Sequence, residues 1–233
     1  AGKARDLGVP QDKWVWLAGA AEAAEPPLAE RGVIHRSAAL GFAIPAALGQ
    51  AGIQANDLGP VDIYSCFPCA VFAAVDTMND AARALGDYTL TGGLSFFGGP
   101  GNGYSMYNIA AMVDALRQDG SKPALVTANG GVMSKQAVGV YTASQPDIAW
   151  SGAAAKGYLP KQIALDDAPQ GKGRVLSFVR SAGKDGFGPA TLILEMENGA
   201  RAMAVLDGTP DGDLGHRIVD VTSGEKRHMA AIL

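Results

Sequence analysis

The stretch around which this chain is organised reads Thr91-Gly92-Gly93-Leu94-Ser95-Phe96-Phe97-Gly98-Gly99-Pro100-Gly101-Asn102-Gly103-Tyr104. It contains six glycines, and glycine both adopts positive φ angles and lets the backbone come close to a ligand. The strand-like residues Asp87–Leu90 precede it, and a helical repeat of apolar residues follows from Met106 to Leu116. A glycine loop that leads into a helix offers unpaired backbone N–H groups to an anion or a carbonyl oxygen. The pattern predicts either a ligand-binding loop or a tight structural connection.

The composition limits the classes of protein to which this chain can belong. It has 233 residues, a formal net charge of −4 and 48% apolar residues, which is enough for one large domain or two smaller ones. Apolar runs stay well short of the roughly 20 residues that a membrane span needs, and no basic segment followed by an apolar core marks a signal peptide. Lysines and arginines do not cluster, which argues against nucleic-acid binding, and two cysteines do not make a secreted disulfide framework. These features predict a soluble, cytoplasmic protein.

The residues up to Trp150 alternate between helical and strand patterns. Ser37 is suited to cap a helix that runs to Ala51, in which Pro45 should introduce a kink, and Ala20–Gly32 has the composition of a surface connection. Because helices alternate with buried strands, we expect a layered α/β sheet with ligand-binding loops beyond the strand ends. The other predicted helices are Ala70–Leu85 and a helix that ends at Gln118, and the predicted strands are Trp14–Leu17, Val61–Tyr64, Asp87–Leu90, Ala124–Ala128 and Val138–Tyr141.

The composition changes after Trp150, where the small residues of Ser151–Gly157 predict a loose connection. We therefore predict two domains, at residues 1–150 and 158–233. Asn198-Gly199 between two β-rich runs is typical of a hairpin. Five short runs with such turns predict a small, all-β, barrel-like or sandwich domain. The five runs are Arg174–Arg180, Ala190–Glu197, Ala200–Leu206, Arg217–Val221 and His228–Leu233.

Three runs of the first 150 residues resemble the C-terminal half of a thiolase-superfamily protein. The nearest subgroup is often labelled acetyl-CoA acetyltransferase or thiolase-like protein type 1, and it is related to the sterol-carrier-protein type of thiolase. The resemblance implies a thiolase-like layered α/β/α half-fold followed by an additional C-terminal β domain. It also implies an acyl-CoA substrate, with coenzyme A as the carrier, and an N-terminal half with the nucleophilic cysteine, on this or another polypeptide. The three runs are Val61–Pro68, Thr91–Asn102 and Thr127–Tyr141.

Three positions depart from the residues that the resemblance implies for a Claisen thiolase. Gly99 stands where the family's Gly-His-Pro motif has its His, and Ala128 stands where a Cys-x-Gly motif has the second catalytic Cys. Tyr64 replaces the Asn or His of the motif that helps to hold the oxyanion. Glycine and alanine side chains cannot transfer a proton, so we expect ordinary thiolase chemistry to be absent from this chain alone.

Three residues remain as candidate catalytic groups. Tyr64 is a hydrogen-bond donor or acid/base, with a packed ring as the alternative. Cys66 is an acid/base or nucleophile at a helix N-terminus, with a small buried thiol as the alternative. Asn129 could polarise a carbonyl or only stabilise a turn. Tyr104 faces the same cleft or simply starts the helix, and Lys135 meets a phosphate of coenzyme A or, as is more common for a lysine, is a solvated surface residue. The candidate substrate-binding residues are Gly98, Gly99, Pro100, Gly101, Asn102 and Gly130.

Cys66 and Cys69 form a C-x-x-C motif at a strand-to-helix turn. Such a motif occurs in redox and in zinc sites, but a thioredoxin-like context and a second ligand pair are both missing from the sequence. The histidines His35, His216 and His228 have no ligand spacing. We therefore predict no metal site from the sequence.

Three functions are compatible with these residues. The first is a thiolase-like acyl-CoA acyltransferase. The second is a carbon–carbon lyase, since some thiolase-like proteins perform retro-aldol cleavage of acyl-CoA with tyrosines, although these act with a separate small β-domain protein. The third is a non-catalytic scaffold that binds CoA thioesters. Acyl-CoA is the expected small-molecule partner in each case.

Overall fold

The computed structural model describes residues 2–147, 153–155, 157–208 and 212–233. They form two compact units, the first comprising residues 1–25 and 36–160 and the second residues 26–35 and 161–233. The predicted connection at Ser151–Gly157 lies partly outside the described residues. Within the part of the chain that is described, no helix is both long enough and apolar enough to cross a membrane.

The first unit is built on a four-stranded sheet whose strands lie in the order β1-β4-β3-β2. β3 pairs in parallel with β2, and the other two pairs are antiparallel. The strands are β1 (Trp16–Ala24), β2 (Val61–Asp62), β3 (Ala124–Gly130) and β4 (Lys135–Thr142), and the helices are α1 (Gly2–Asp6), α2 (Ala38–Ala51), α3 (Pro68–Met78), α4 (Leu94–Phe97) and α5 (Tyr104–Gln118). Short 3₁₀ turns lie at Gln11–Lys13, Ala55–Asp57 and Leu85–Tyr88.

Helices cover both faces of this sheet. Leu125 of β3 packs in one cluster with residues of α2 and α3. Its neighbours Ala124 and Val126 point the other way, because side chains alternate along a strand, and pack against Met112 and Leu116 of α5. The predicted α/β/α layering is therefore confirmed.

Helix α2 begins and ends where the sequence predicts. The hydroxyl of Ser37 accepts a hydrogen bond from the backbone N–H of Leu40, and Gly52 ends the helix with φ +71°. Gly19 of β1 allows α2 to lie directly on the sheet, since a Cβ there would be 2.1 Å from the carbonyl oxygen of Ala47.

Four secondary-structure predictions for this unit are wrong in part or whole. Asp87–Leu90 is not a strand, because a 3₁₀ turn at Leu85–Tyr88 takes its place. Ala20–Ala24 belong to β1 and not to a surface connection. Helix α3 ends at Met78, where Asn79 adopts a left-handed conformation, and β2 stops at Asp62.

The second unit contains a closed five-stranded barrel with the strand order β5-β6-β7-β9-β8. Its core is apolar and draws on all five strands. The barrel confirms the predicted small β fold, and Gly199 turns between β6 and β7 with φ +80°. The strands are β5 (Gly171–Gly183), β6 (Gly186–Met196), β7 (Arg201–Leu206), β8 (Ile218–Thr222) and β9 (Met229–Ile232).

The segment 26–35 also belongs to this second unit. It includes a 3₁₀ turn at Leu28–Glu30, and Arg31 forms an antiparallel bridge with Gln162. The N–H of Gly32 bonds to the carbonyl of Lys161 at 3.1 Å. The sequence-based division at residues 150 and 158 did not include this segment in the second domain.

Candidate functional site

The glycine-rich stretch is held in place by one buried carboxylate. Asp62, at the end of β2, is 0% exposed. Its Oδ2 accepts hydrogen bonds from the backbone N–H groups of Leu90 and Thr91, both at 2.9 Å. Its Oδ1 accepts from the hydroxyl of Tyr104 at 2.8 Å and from the amide of Asn108 at 3.2 Å. The start of the glycine stretch and the first two turns of α5 are thereby tied to the same strand end.

The sequence interpretation missed Asp62, although a signal was present. Asp62 is the one carboxylate in the apolar run Val61-Asp62-Ile63. Buried carboxylates require hydrogen-bonding partners, so a carboxylate in such a run indicates that polar groups converge on it.

Ser65 provides a second contact to the glycine stretch. Its hydroxyl oxygen accepts a hydrogen bond from the N–H of Leu94 at 3.1 Å. Gly93 has φ +82°, and a Cβ there would lie 2.6 Å from Ser65 Oγ. This N–H of α4 is therefore already used within the fold, so it is not free for a ligand.

Gly99 is also closely packed. A Cβ at this position would lie 2.7 Å from Cδ2 of Leu94 and 3.0 Å from Cβ of Tyr104. A histidine would fit only if Leu94 moved. By contrast, Gly98 and Gly101 have open space where a side chain would begin, and Pro100 and Asn102 are exposed.

Cys66 and Asn129 are two predicted residues that the structure brings into direct contact. The side-chain N–H of Asn129 donates to Sγ of Cys66 at 3.4 Å. Cys66 is exposed and free, and it lies between β2 and α3, whereas Asn129 is near the end of β3. The adjacent parallel strands β2 and β3 therefore place the two residues at the same sheet edge.

Some groups around Cys66 raise the pKa of its thiol and others lower it. Partial burial is the largest influence and raises the pKa of the thiol, and the neighbouring Cys69 raises it further. Hydrogen bonds from the Phe67 backbone and from Asn129 favour the thiolate and lower it, but the net pKa is above the usual range. Cys66 is thus a protonated thiol near neutral pH. The lowered pKa expected at a helix N-terminus is not found.

Tyr64 and Tyr104 pack edge to face, with ring centroids 5.3 Å apart. The Tyr104 hydroxyl bonds to Asp62 and Thr91. Burial is the main cause that raises its pKa to about 12, with Asp62 adding to the effect and Thr91 opposing it. Tyr104 therefore has a structural role. The half-buried Tyr64 remains a candidate.

A cleft of about 450 Å³ lies at the end of the sheet. Ala128, Asn129 and Gly130 line it together with Lys135 and Tyr158. Tyr64, Cys66 and the segment 98–102 are not among its lining residues. No hydrogen bond or ring contact of the described residues joins segment 98–102 to Cys66 or Asn129, so the arrangement of all the predicted site residues in one pocket stays a prediction.

Cys69 lies on the first turn of α3, and its Sγ is 3.8 Å from Sδ of Met133. Among the residues that the structure describes, no group of three or more His, Cys, Asp or Glu side chains is arranged to hold a metal ion.

Comparison with solved structures finds a match that extends over almost all of this chain. The crystal structure of a monomeric SCP2-thiolase-like protein type 1 from Mycobacterium smegmatis is 35% identical in sequence, with a TM-score of 0.86. The match covers 99% of this chain and 53% of that protein, so this chain spans about half the length of its relative.

Two structures of human mitochondrial 3-ketoacyl-CoA thiolase match more weakly. The complex with CoA is 19% identical, with a TM-score of 0.46 over 62% of this chain and 34% of that one. The other is 18% identical, with a TM-score of 0.44 over 60% and 33%. No protein-family model and no curated protein matches this chain.

Proposed function

This chain belongs to the thiolase-like fold family, and from that premise we propose that it is a thiolase-like acyltransferase that acts on acyl-CoA thioesters through Cys66. The observation that carries the proposal is the 3.4 Å hydrogen bond from Asn129 to the exposed Cys66 sulfur. A thiol that is held at a sheet edge by a neutral donor is suited to exchange a proton with a bound substrate. This chain alone does not complete a Claisen mechanism, since Gly99 and Ala128 cannot move protons.

Cys66 has the role of a proton donor in this proposal. Because burial raises the pKa of its thiol, the proton stays on sulfur near neutral pH. In the thiolysis direction it passes from Sγ to the carbon next to the thioester carbonyl when that carbon carries negative charge, and the thiolate takes a proton back from the thiol of the incoming coenzyme A. Asn129 holds the sulfur in place and stabilises its anionic form.

Four strongly exposed apolar side chains of the first unit support a role for a second polypeptide segment, and we propose that they belong to one surface. Phe67, Phe96, Met106 and Val132 are 68%, 86%, 68% and 82% exposed, respectively, and exposed apolar groups of this kind mark interaction surfaces. We propose that this surface packs against a segment equivalent to the part of the Mycobacterium smegmatis protein that this chain does not cover. By resemblance, that segment carries the nucleophilic cysteine. Sedimentation should show self-association of the isolated chain, and a well-behaved monomer would contradict the proposal.

The alternative functions differ in the residues they need. A retro-aldol lyase would use tyrosines, and the contact between Tyr64 and Tyr104 is the feature in its favour. However, Tyr104 is bonded to Asp62 and its pKa is about 12, which leaves only Tyr64 for acid/base chemistry. A CoA-binding scaffold would need neither tyrosine nor Cys66.

Acetoacetyl-CoA thiolysis separates these functions. The purified chain alone should be inactive, and activity should appear when the equivalent N-terminal half is added. Cys66→Ser should then lose this activity, with Cys69→Ser as the matched control. Turnover by the chain alone would overturn the proposal. Cleavage of a 3-hydroxyacyl-CoA that is lost in Tyr64→Phe would favour the lyase, and CoA binding without any turnover would favour the scaffold.

A further inference from the structure

Two cysteine thiols contact the β3–β4 hairpin of the first unit, which itself carries a methionine. The turn joins β3 to β4 through residues 131–134. Near its start, Asn129 donates to Sγ of Cys66 at 3.4 Å. Within it, Sδ of Met133 lies 3.8 Å from Sγ of Cys69. The two thiols of the C-x-x-C motif therefore contact two residues of one hairpin, Asn129 and Met133, that are four positions apart.

The backbone of this turn places Met133 in an unusual position. Val132 and Met133 have φ +50° and +57°, the left-handed region that residues other than glycine rarely adopt. A β-branched residue is especially rare there, and Val132 is 82% exposed, so burial of its side chain does not account for the conformation. One result of the conformation is the contact between the Met133 thioether and Cys69.

The candidate donor atoms of Cys66, Cys69 and Met133 are all sulfur. Cys66 and Cys69 are both free and exposed, and Met133 is partly buried, so an ion can reach the sulfurs without opening the fold. No group of three or more His, Cys, Asp or Glu side chains is arranged to hold a metal within the described ranges. Hard cations such as Mg²⁺ and Ca²⁺ need oxygen donors, and structural zinc takes four Cys or His ligands. Thiolate and thioether sulfurs select cuprous copper instead.

We propose that Cys66, Cys69 and Met133 bind one cuprous ion through two thiolates and one thioether. On binding, Cu⁺ forms bonds to the three sulfurs, and the two thiols release their protons to solvent without any change of oxidation state. Affinity therefore increases with pH. The ion occupies the same sulfur that transfers protons in the proposed acyl-CoA chemistry, so the two uses of Cys66 exclude one another. The metal site does not depend on the proposed function.

Anaerobic titration of the full chain with Cu⁺, in competition with bathocuproine disulfonate, tests this site. We expect one tightly bound ion per chain, lost in Cys66→Ser and in Cys69→Ser. Changes outside the ligand shell typically cost 10–100-fold in metal affinity, so loss of a direct donor in Met133→Leu should cost at least about tenfold. Met106→Leu, at an exposed methionine of α5, is the matched control and should bind normally.

X-ray absorption of the copper-loaded wild-type chain gives a test that does not depend on how the variants fold. Three sulfur neighbours are the expected result. Two sulfur neighbours, or a Met133→Leu chain that binds as tightly as the wild type, would overturn the three-sulfur site. Undiminished binding by Cys69→Ser would overturn the role of the C-x-x-C pair.

Discussion

The phenol of Tyr104 donates a 2.8 Å hydrogen bond to the carboxylate of Asp62, and both side chains are almost completely buried. Hydrogen bonds to a charged group contribute about 1.5–3 kcal/mol, so we expect Tyr104→Phe to lower the free energy of unfolding by about that amount in urea denaturation. Tyr107→Phe, on the exposed side of the same helix, should change it by less than about 0.5 kcal/mol. Equal effects of the two substitutions would contradict this role for the phenol.

The titration of the Tyr104 hydroxyl predicts how the stability of the folded chain changes at alkaline pH. Burial, helped by Asp62, raises the pKa of Tyr104 from 10.0 to about 12 in the folded chain. The folded state therefore binds this proton more tightly than the unfolded state does. The contribution of the protonated Tyr104 hydroxyl to the free energy of unfolding is fully present below pH 10. It is lost as the pH rises towards 12, at up to about 1.4 kcal/mol per pH unit. Unfolding measured across this range should show the stability difference between wild type and Tyr104→Phe becoming smaller.

Asp62 should be more tolerant of asparagine than of alanine. Asp62→Ala leaves the partly buried N–H groups of Leu90 and Thr91 without their acceptor, at a cost of up to about 1–3 kcal/mol each. Asp62→Asn keeps one oxygen for them and turns its amide N–H towards Asn108, whose buried Oδ1 has no partner and can accept it. Hydrogen exchange at Leu90 and Thr91 should accelerate in Asp62→Ala, with a smaller change in Asp62→Asn.

The sequence predicts elements well where their signals are local. Ser37 and Gly52 bound α2 by capping, and Asn198-Gly199 turns between β6 and β7. The error at Asp87–Leu90 comes from a contact between residues far apart in the chain. Asp87–Leu90 has a strand-like pattern, but the N–H of Leu90 donates its hydrogen bond to the carboxylate of Asp62 and not to a neighbouring strand.

One part of the candidate site could be predicted from the sequence and another part could not. The Cys66–Asn129 contact follows from two strands that end at one sheet edge, and the loops after those strands were predicted to meet there. The contact of Cys69 with Met133 depends on the left-handed turn that follows β3. A methionine among apolar residues gives no sign of that turn, so the sequence did not predict the third sulfur.

Gly19, where α2 contacts the sheet, and Gly49, on the exposed side of α2, should respond oppositely to substitution by alanine. At Gly19 a Cβ would lie 2.1 Å from the carbonyl oxygen of Ala47 and 3.0 Å from the N of Ala51. Both are backbone atoms of α2, so the helix must move off the sheet, at a cost of about 3 kcal/mol or more. Gly49, in the same helix, has nothing within 4 Å, and Gly49→Ala should add about 0.5–1 kcal/mol through helix propensity. Denaturation midpoints that shift in the same direction would contradict this packing.

The raised pKa of Cys66 should appear in the pH dependence of its alkylation. Burial outweighs the hydrogen bond from Asn129, so the rate with iodoacetamide, read at Cys66 by tandem mass spectrometry, should have its midpoint above that of an unperturbed thiol. Asn129→Ala removes a donor that favours the thiolate and should move the midpoint higher still. Asn102→Ala, at an exposed position, should leave it unchanged. A midpoint that falls in Asn129→Ala would mean that the amide does not stabilise the thiolate, and the proposed proton transfer by Cys66 would lose its positioning group.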